Sequence, residues 1–311
     1  MPGFDTLPCR FYANDGVEIS GKTKLYGILG WPVSHSLSPV FQARFFRQYD
    51  LDAVYVPFAA PPERLQQALE GLWAIGVEGA NVTVPHKEVV NAMVSADADA
   101  RLIGAVNTIR RTESGWQGTN TDWLGLQTVV QQAGLDLRGN TALLFGAGGT
   151  ARAIVHALAS LGLSRLYVCN RGADRLQALL EHVRQNYPNL EAVVVRWAQA
   201  DVTAACKQSA LLVNSTSVGL DGETGFPFEL DGAGVALDAV YRPDGQTPFC
   251  LAARAAGRQA GDGLPMLVAQ GAASFGWWFD GKLPDWSETL DWMEERLGRT
   301  HALLPQWRMA G

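Results

Sequence analysis

The chain alternates short apolar runs with stretches in which apolar positions recur every three or four residues. In its first third the runs at 25–29, 53–58 and 79–84 read as strands, and the stretches at 40–49 and 62–75 read as helices. Pro61-Pro62 ahead of Glu63 marks a helix start, and Leu65, Leu69 and Leu72 then fall on one face. This βαβαβ order predicts a mostly parallel sheet covered by helices. A polar, glycine-bearing segment at 116–122 leads into a helix over 124–133 that ends at Gly134. A second alternating series follows: strand 141–145, a helix to 161, strand 165–169, a helix to 185, and strands 192–197, 211–214 and 235–240. Past Gly263 the pattern is helical again, at 265–275 and 286–297, and these helices are expected to return to the first domain.

A length of 311 residues suits two such units, and 47% hydrophobic with 18% charged residues describes an ordinary globular chain. The net charge of -6 argues against a nucleic-acid partner, which calls for clustered Lys and Arg. Cys9, Cys169, Cys206 and Cys250 are widely spaced, with no paired motif or accompanying His cluster, so neither a disulfide framework nor a metal site is expected. Residues 1–20 lack the apolar core of a signal peptide, and no apolar run reaches about 18 residues, so a cytoplasmic protein with no membrane span is expected. Ten Trp residues, four of them between Trp277 and Trp292, read as core and hinge packing.

The chemistry concentrates in Asn81-Val82-Thr83-Val84-Pro85-His86-Lys87 and, farther on, Asn120-Thr121-Asp122. These supply an amine and a carboxylate from two separate turns. A partly desolvated ammonium beside a carboxylate can exchange a proton with a substrate hydroxyl. The same pair can equally be a structural ion pair.

The strand at 141–145 runs into Gly146-Ala147-Gly148-Gly149-Thr150-Ala151 and then an apolar helix, the context a dinucleotide fingerprint requires. Gly146 permits the tight turn, Gly148 lets the backbone approach a pyrophosphate at the helix N-terminus, and Ala151 replaces the third glycine. The next strand ends in Asn170-Arg171, where an NAD site places Asp or Glu; Arg171 and Arg175 offer guanidinium groups for a 2′-phosphate instead. The alternative is two solvated Arg residues at a helix start, with Asp174 as a helix cap. NADP is the expected cofactor. The domains are then a substrate-binding, catalytic α/β domain at 1–123 and 263–311, and a Rossmann-type NADP-binding domain at 124–262.

Ser36 and Ser38, in Ser34-His35-Ser36-Leu37-Ser38-Pro39, can aim hydroxyls at an anion, or can simply cap the next helix. Taken together, the ordered motifs at 36–39, 81–87, 104–108, 118–122, 146–153, 170–171, 214–220, 238–241 and 266–272 resemble those of the shikimate dehydrogenase family. The resemblance covers the chain from about Lys24 to about Trp292. It implies NADP-dependent reduction of 3-dehydroshikimate to shikimate, with Lys87 passing the proton and Asp122 orienting the ammonium. It implies that Ser36 and Ser38 grip the substrate carboxylate with Thr83 and Tyr241, and that Asn81, Asn107 and Gln270 meet the ring hydroxyls. Thr216, Ser217, Val240 and Gly263 join Gly146 to Ala151, Asn170, Arg171 and Arg175 as implied cofactor residues.

Gln42 and Ala43 stand where the family commonly has a His-Asn pair, and Gly172 replaces the hydroxyl residue usual after Asn-Arg. The rival readings are a quinate or dual quinate/shikimate dehydrogenase using NAD, and, from another class, a non-catalytic sensor of shikimate or cofactor. A monomer or a homodimer is expected.

Overall fold

The computed structural model describes residues 19–220 and 225–299. They fall into two compact units, residues 19–125 with Leu267–Met293 and residues 126–266 with 294–299.

In the first unit β1 (Lys24–Gly30) is followed by α1 (Ser38–Gln48) and β2 (Ala53–Ala59). A 3₁₀ turn (Pro62–Arg64) then continues into α2 (Leu65–Ala74), and β3 (Gly79–Val82) closes the series. The strands are parallel in the order β2-β1-β3, with Leu29 opposite both Phe58 and Val82. The predicted helix at 62–75 is present, its first turn tightened where the Arg64 N–H donates to Pro61 O at 2.9 Å.

Beyond β3 the chain adds what the periodicity did not show. α3 (Lys87–Met93), β4 (Ser95–Ala96), α4 (Ala98–Ile103), β5 (Thr108–Thr112) and β6 (Gly115–Thr119) precede α5 (Asp122–Gln132). β5 runs antiparallel to both β3 and β6, and the polar, glycine-bearing segment at 116–122 is strand as far as Thr119. The reason lies in what covers β5. Ile109 alone of its middle residues is buried, while Arg110 and Arg111 lie over the Trp277 and Trp73 rings at 4.4 and 5.1 Å. Cation–π cover leaves no apolar alternation to read. α4 obeys local rules: Asp97 accepts from the Ala100 N–H at 2.8 Å and Gly104, with φ +76°, ends it.

The second unit carries β7 (Thr141–Phe145), α6 (Gly149–Ser160), β8 (Arg165–Cys169), α7 (Ala173–Asn186) and β9 (Glu191–Val195). α8 (Gln199–Gln208), β10 (Leu211–Asn214), β11 (Val235–Asp238), α9 (Pro248–Ala255) and β12 (Gln259–Gly261) complete it. All six strands are parallel, in the order β12-β11-β10-β7-β8-β9, the doubly wound topology. Its core includes Leu143, Phe145, Phe228 and Phe249. Cys169, Cys206 and Cys250 are free and buried, and burial pushes the Cys169 and Cys250 thiols up to about 12. Cys9 lies outside the described residues.

α10 (Leu264–Trp278) and α11 (Trp286–Leu297) bring the chain back to the first unit, as the pattern predicts. Phe275 of α10 meets Phe45 of α1 edge-on at 5.7 Å, and Trp278 meets Tyr26 at 5.2 Å. Phe45 and Phe275, both fully buried, each contribute roughly 1.5–3 kcal/mol. Arg44 pairs with Glu288 at 2.7 Å and lies over the Trp292 ring. Among the described residues no helix is long and apolar enough to cross a membrane.

Candidate functional site

Lys87 opens α3 and Asp122 opens α5, and both positions are fixed by buried neighbours. His86, 1% exposed, bonds Ala60 O through Nε2 at 2.8 Å, which anchors the turn ahead of Lys87. The Asp122 N–H donates to Asn120 Oδ1 at 3.0 Å, and Asn120 Nδ2 donates to Ala105 O at 2.9 Å. The Lys87 ammonium then donates to Asp122 Oδ2 at 2.7 Å, while Asn107 Nδ2 donates to Asp122 Oδ1 at 2.8 Å. Side-chain exposures of 12% and 8% shield this pair from water, so it is stronger and better oriented than a surface ion pair.

A polar network extends from the pair through the predicted amides. Asn107 Oδ1 accepts from the Thr121 N–H at 2.7 Å and from Thr108 Oγ1 at 3.0 Å, and Asn107 Nδ2 reaches Gln270 Oε1 at 3.1 Å. Gln270 Nε2 donates to Leu267 O at 2.7 Å. Asn81 Nδ2 donates to Ser274 Oγ at 2.8 Å, and Asn81 Oδ1 accepts from the Tyr55 hydroxyl at 2.7 Å. Burial holds the Tyr55 phenol well above its usual value, with Ser38 and Asn81 offsetting part of that rise. Lys87, Asp122, Asn81, Asn107 and Gln270 are thus brought together in one network. Tyr55, Thr108, Thr121 and Ser274, which join them, were not singled out. Thr121 sat inside the Asn-Thr-Asp motif, whereas Tyr55 and Ser274 are contributed by a strand and a distant helix and carry no local signal.

Ser36 and Ser38 flank the start of α1. Leu37, at the N-cap, provides no side-chain acceptor, and Ser36 Oγ accepts from the Ser38 N–H at 3.2 Å. Ser38 is 2% exposed. Thr83 is half-buried in the turn after β3, with its N–H on Leu29 O at 2.9 Å. Tyr241 follows β11 in the second unit and is half-buried.

In that unit the glycine turn lies between β7 and α6. Gly146 has φ +107°, and a Cβ there would stand 2.4 Å from Ser215 Oγ, so only glycine fits. Gly148 is the N-cap of α6 and has nothing within 4 Å of where a Cβ would stand, leaving its backbone open to a ligand. Ala147, Gly149 and Thr150 complete the turn into the helix, and Ala151 is fully buried beneath it. Arg171 and Arg175 are exposed beyond β8, and Asn170 Nδ2 donates to Gly172 O at 2.7 Å. Asp174 does not cap α7: Gly172 holds the N-cap, and Asp174 lies in the first turn, where it complements the helix dipole. Thr216 and Ser217 follow β10, Val240 follows β11 and Gly263 follows β12, all past the carboxyl ends of parallel strands. A helix N-terminus behind an uncrowded glycine, with two guanidinium groups beyond the adjacent strand, fits a dinucleotide bearing a 2′-phosphate. Among the described residues no His, Cys, Asp or Glu cluster could hold a metal ion.

Two family models match the chain: the shikimate dehydrogenase substrate binding domain over residues 28–109 and shikimate / quinate 5-dehydrogenase over residues 128–219. The shikimate dehydrogenase (NADP(+)) of Anaeromyxobacter dehalogenans strain 2CP-1 is 41% identical over 270 residues, covering 86% of this chain and 95% of its own. The crystal structure of Aquifex aeolicus shikimate dehydrogenase superimposes with a TM-score of 0.77 at 35% identity, covering 91% of this chain and 100% of that one. Shikimate 5-dehydrogenase of Thermus thermophilus, solved in complex with NADP(H) and shikimate, gives a TM-score of 0.75 at 36% identity over 88% of this chain and 99% of its own. A chain this similar over nearly its whole length to such proteins belongs to the shikimate dehydrogenase family.

Proposed function

We propose that this protein is an NADP-dependent shikimate dehydrogenase that interconverts 3-dehydroshikimate and shikimate. The observation that carries the reading is the shielded Lys87–Asp122 pair, 2.7 Å apart and seated among amide and hydroxyl groups. NADP, when bound, supplies or accepts the hydride. Lys87 gives a proton to the substrate oxygen as the carbonyl carbon is reduced, and takes it back in the reverse direction. Asp122 keeps the ammonium aimed, and Asn107 keeps Asp122 aimed by filling its second oxygen. Ser36, Ser38 and Thr83 hold the substrate carboxylate, and Asn81, Asn107 and Gln270 shape the region that receives the ring hydroxyls.

Gly146 to Ala151 hold the pyrophosphate and Arg171 with Arg175 the 2′-phosphate. The same reading puts the reaction in the shikimate pathway, in the cytoplasm. Rates measured for shikimate and quinate, each with NADP and with NAD, test it. Shikimate with NADP should be the fastest of the four combinations. Faster turnover of quinate with NAD would make the protein a catabolic quinate dehydrogenase, and no turnover with any combination would favour a sensor.

A further inference from the structure

Asn214 and Asp238 face one another at the carboxyl ends of β10 and β11, paired in register, at 0% and 3% exposure. Asn214 Nδ2 donates to Asp238 Oδ1 at 2.8 Å. Each then reaches forward into its own loop. Asn214 Oδ1 accepts from the Thr216 N–H at 3.1 Å and from Thr216 Oγ1 at 2.7 Å. Asp238 Oδ1 accepts from the Val240 N–H at 3.0 Å. The backbone adds a third loop, because the Gly263 N–H donates to Val240 O at 2.9 Å and a Cβ on Gly263 would stand 2.4 Å from Ala239 O.

Thr216, Val240 and Gly263, all assigned above to cofactor binding, are therefore held in one frame, and the two side chains at its centre carry no assigned role. In a doubly wound sheet the second half, here β10, β11 and β12, receives the nicotinamide mononucleotide half of a dinucleotide. From this geometry we infer that Asp238, acting through Asn214, is a positioning residue that sets the loops for the nicotinamide half of NADP. The inference rests on the proposed NADP site. It requires nothing of the substrate.

Calorimetric binding to the full chain tests it, with NADP and with adenosine 2′,5′-bisphosphate, which carries the adenine half alone. Asp238→Ala should weaken NADP by about tenfold or more, the scale of a lost hydrogen bond to a buried group, and leave the bisphosphate unchanged. Asp238→Asn keeps a carbonyl oxygen for Asn214 and Val240 and should restore NADP binding to within about threefold, well inside the tenfold span of 1.4 kcal/mol. Equal weakening of both probes, or no weakening of either, overturns the inference. If Asp238→Ala does not fold, Asn214→Ala carries the same expectation, and failure of both to fold makes the pair purely structural and overturns it as well. If the parent binds NADP but turns over no shikimate, the proposed function fails while this inference stands.

Discussion

The Lys87 ammonium lies 2.7 Å from Asp122 Oδ2, and the other oxygen of that carboxylate is taken by Asn107 Nδ2 at 2.8 Å. With both carboxylate oxygens occupied, Asp122 has one orientation, and the ammonium it holds has one direction. Lys87→Ala should cut the turnover number by about 10² to 10⁴, the usual effect of a positioned acid or base, with the Michaelis constant much less changed. Steady-state kinetics on the purified variant check this. Turnover within a few-fold of the parent would reduce the pair to a structural ion pair.

Arg171 is exposed in the short connection between β8 and α7. Arg171→Ala should weaken NADPH by roughly 1.5 to 3 kcal/mol, the range for a hydrogen bond to a charged group, and barely affect NADH. Fluorescence titration with both cofactors measures the difference. Equal losses would remove Arg171 from 2′-phosphate recognition.

Ser36 accepts the Ser38 N–H, so a local turn role exists already. A capping role alone predicts that Ser→Ala at either position lowers stability by about 0.5 to 2 kcal/mol without altering kinetics. Carboxylate binding predicts a rise in the shikimate Michaelis constant on the order of tenfold per hydroxyl, because part of a buried charge loses its partner. The kinetic loss should dominate at Ser38, with Ser36→Ala showing both effects. A melting-temperature change with unaltered kinetics in both variants would exclude Ser36 and Ser38 from substrate binding.

Burial pushes the Asp238 carboxyl up to about 7 from the usual 3.8; Thr247, the Val240 N–H and Asn214 oppose the rise, and Asp262, itself paired with Arg299 at 2.7 Å, adds to it. The folded state therefore keeps a proton that the unfolded chain releases above 3.8. This contribution to stability is fully present below that value and is lost as pH rises through about 7. Asp238→Asn cannot ionise. Its stability relative to the parent should climb between about pH 4 and pH 7 and then level off, by on the order of 2–4 kcal/mol. Urea unfolding across that range would show a flat difference if the carboxyl were already charged in the folded protein.

The strand and helix periods in residues 25–84 and 141–240 were strong enough to set two parallel α/β units, because parallel strands covered on both faces read as continuous apolar runs. Gly146 and the Lys87 and Asp122 motifs were equally legible, since tight turns and charged residues declare themselves locally. The hairpin of β5 and β6 was not, because beside its buried Ile109 and Trp116 it carries Arg110 and Arg111, which are covered by the Trp277 and Trp73 rings from elsewhere in the chain. Nor could sequence reveal that Tyr55, Thr108 and Ser274 complete the network around Asn81 and Asn107. Those hydroxyls are ordinary residues of a strand or helix until folding removes them from water, after which each must find a partner, and the partners available are the amides of the site. The sequence by itself determined which residues could do the chemistry; tertiary structure decided which of them hold the others in place.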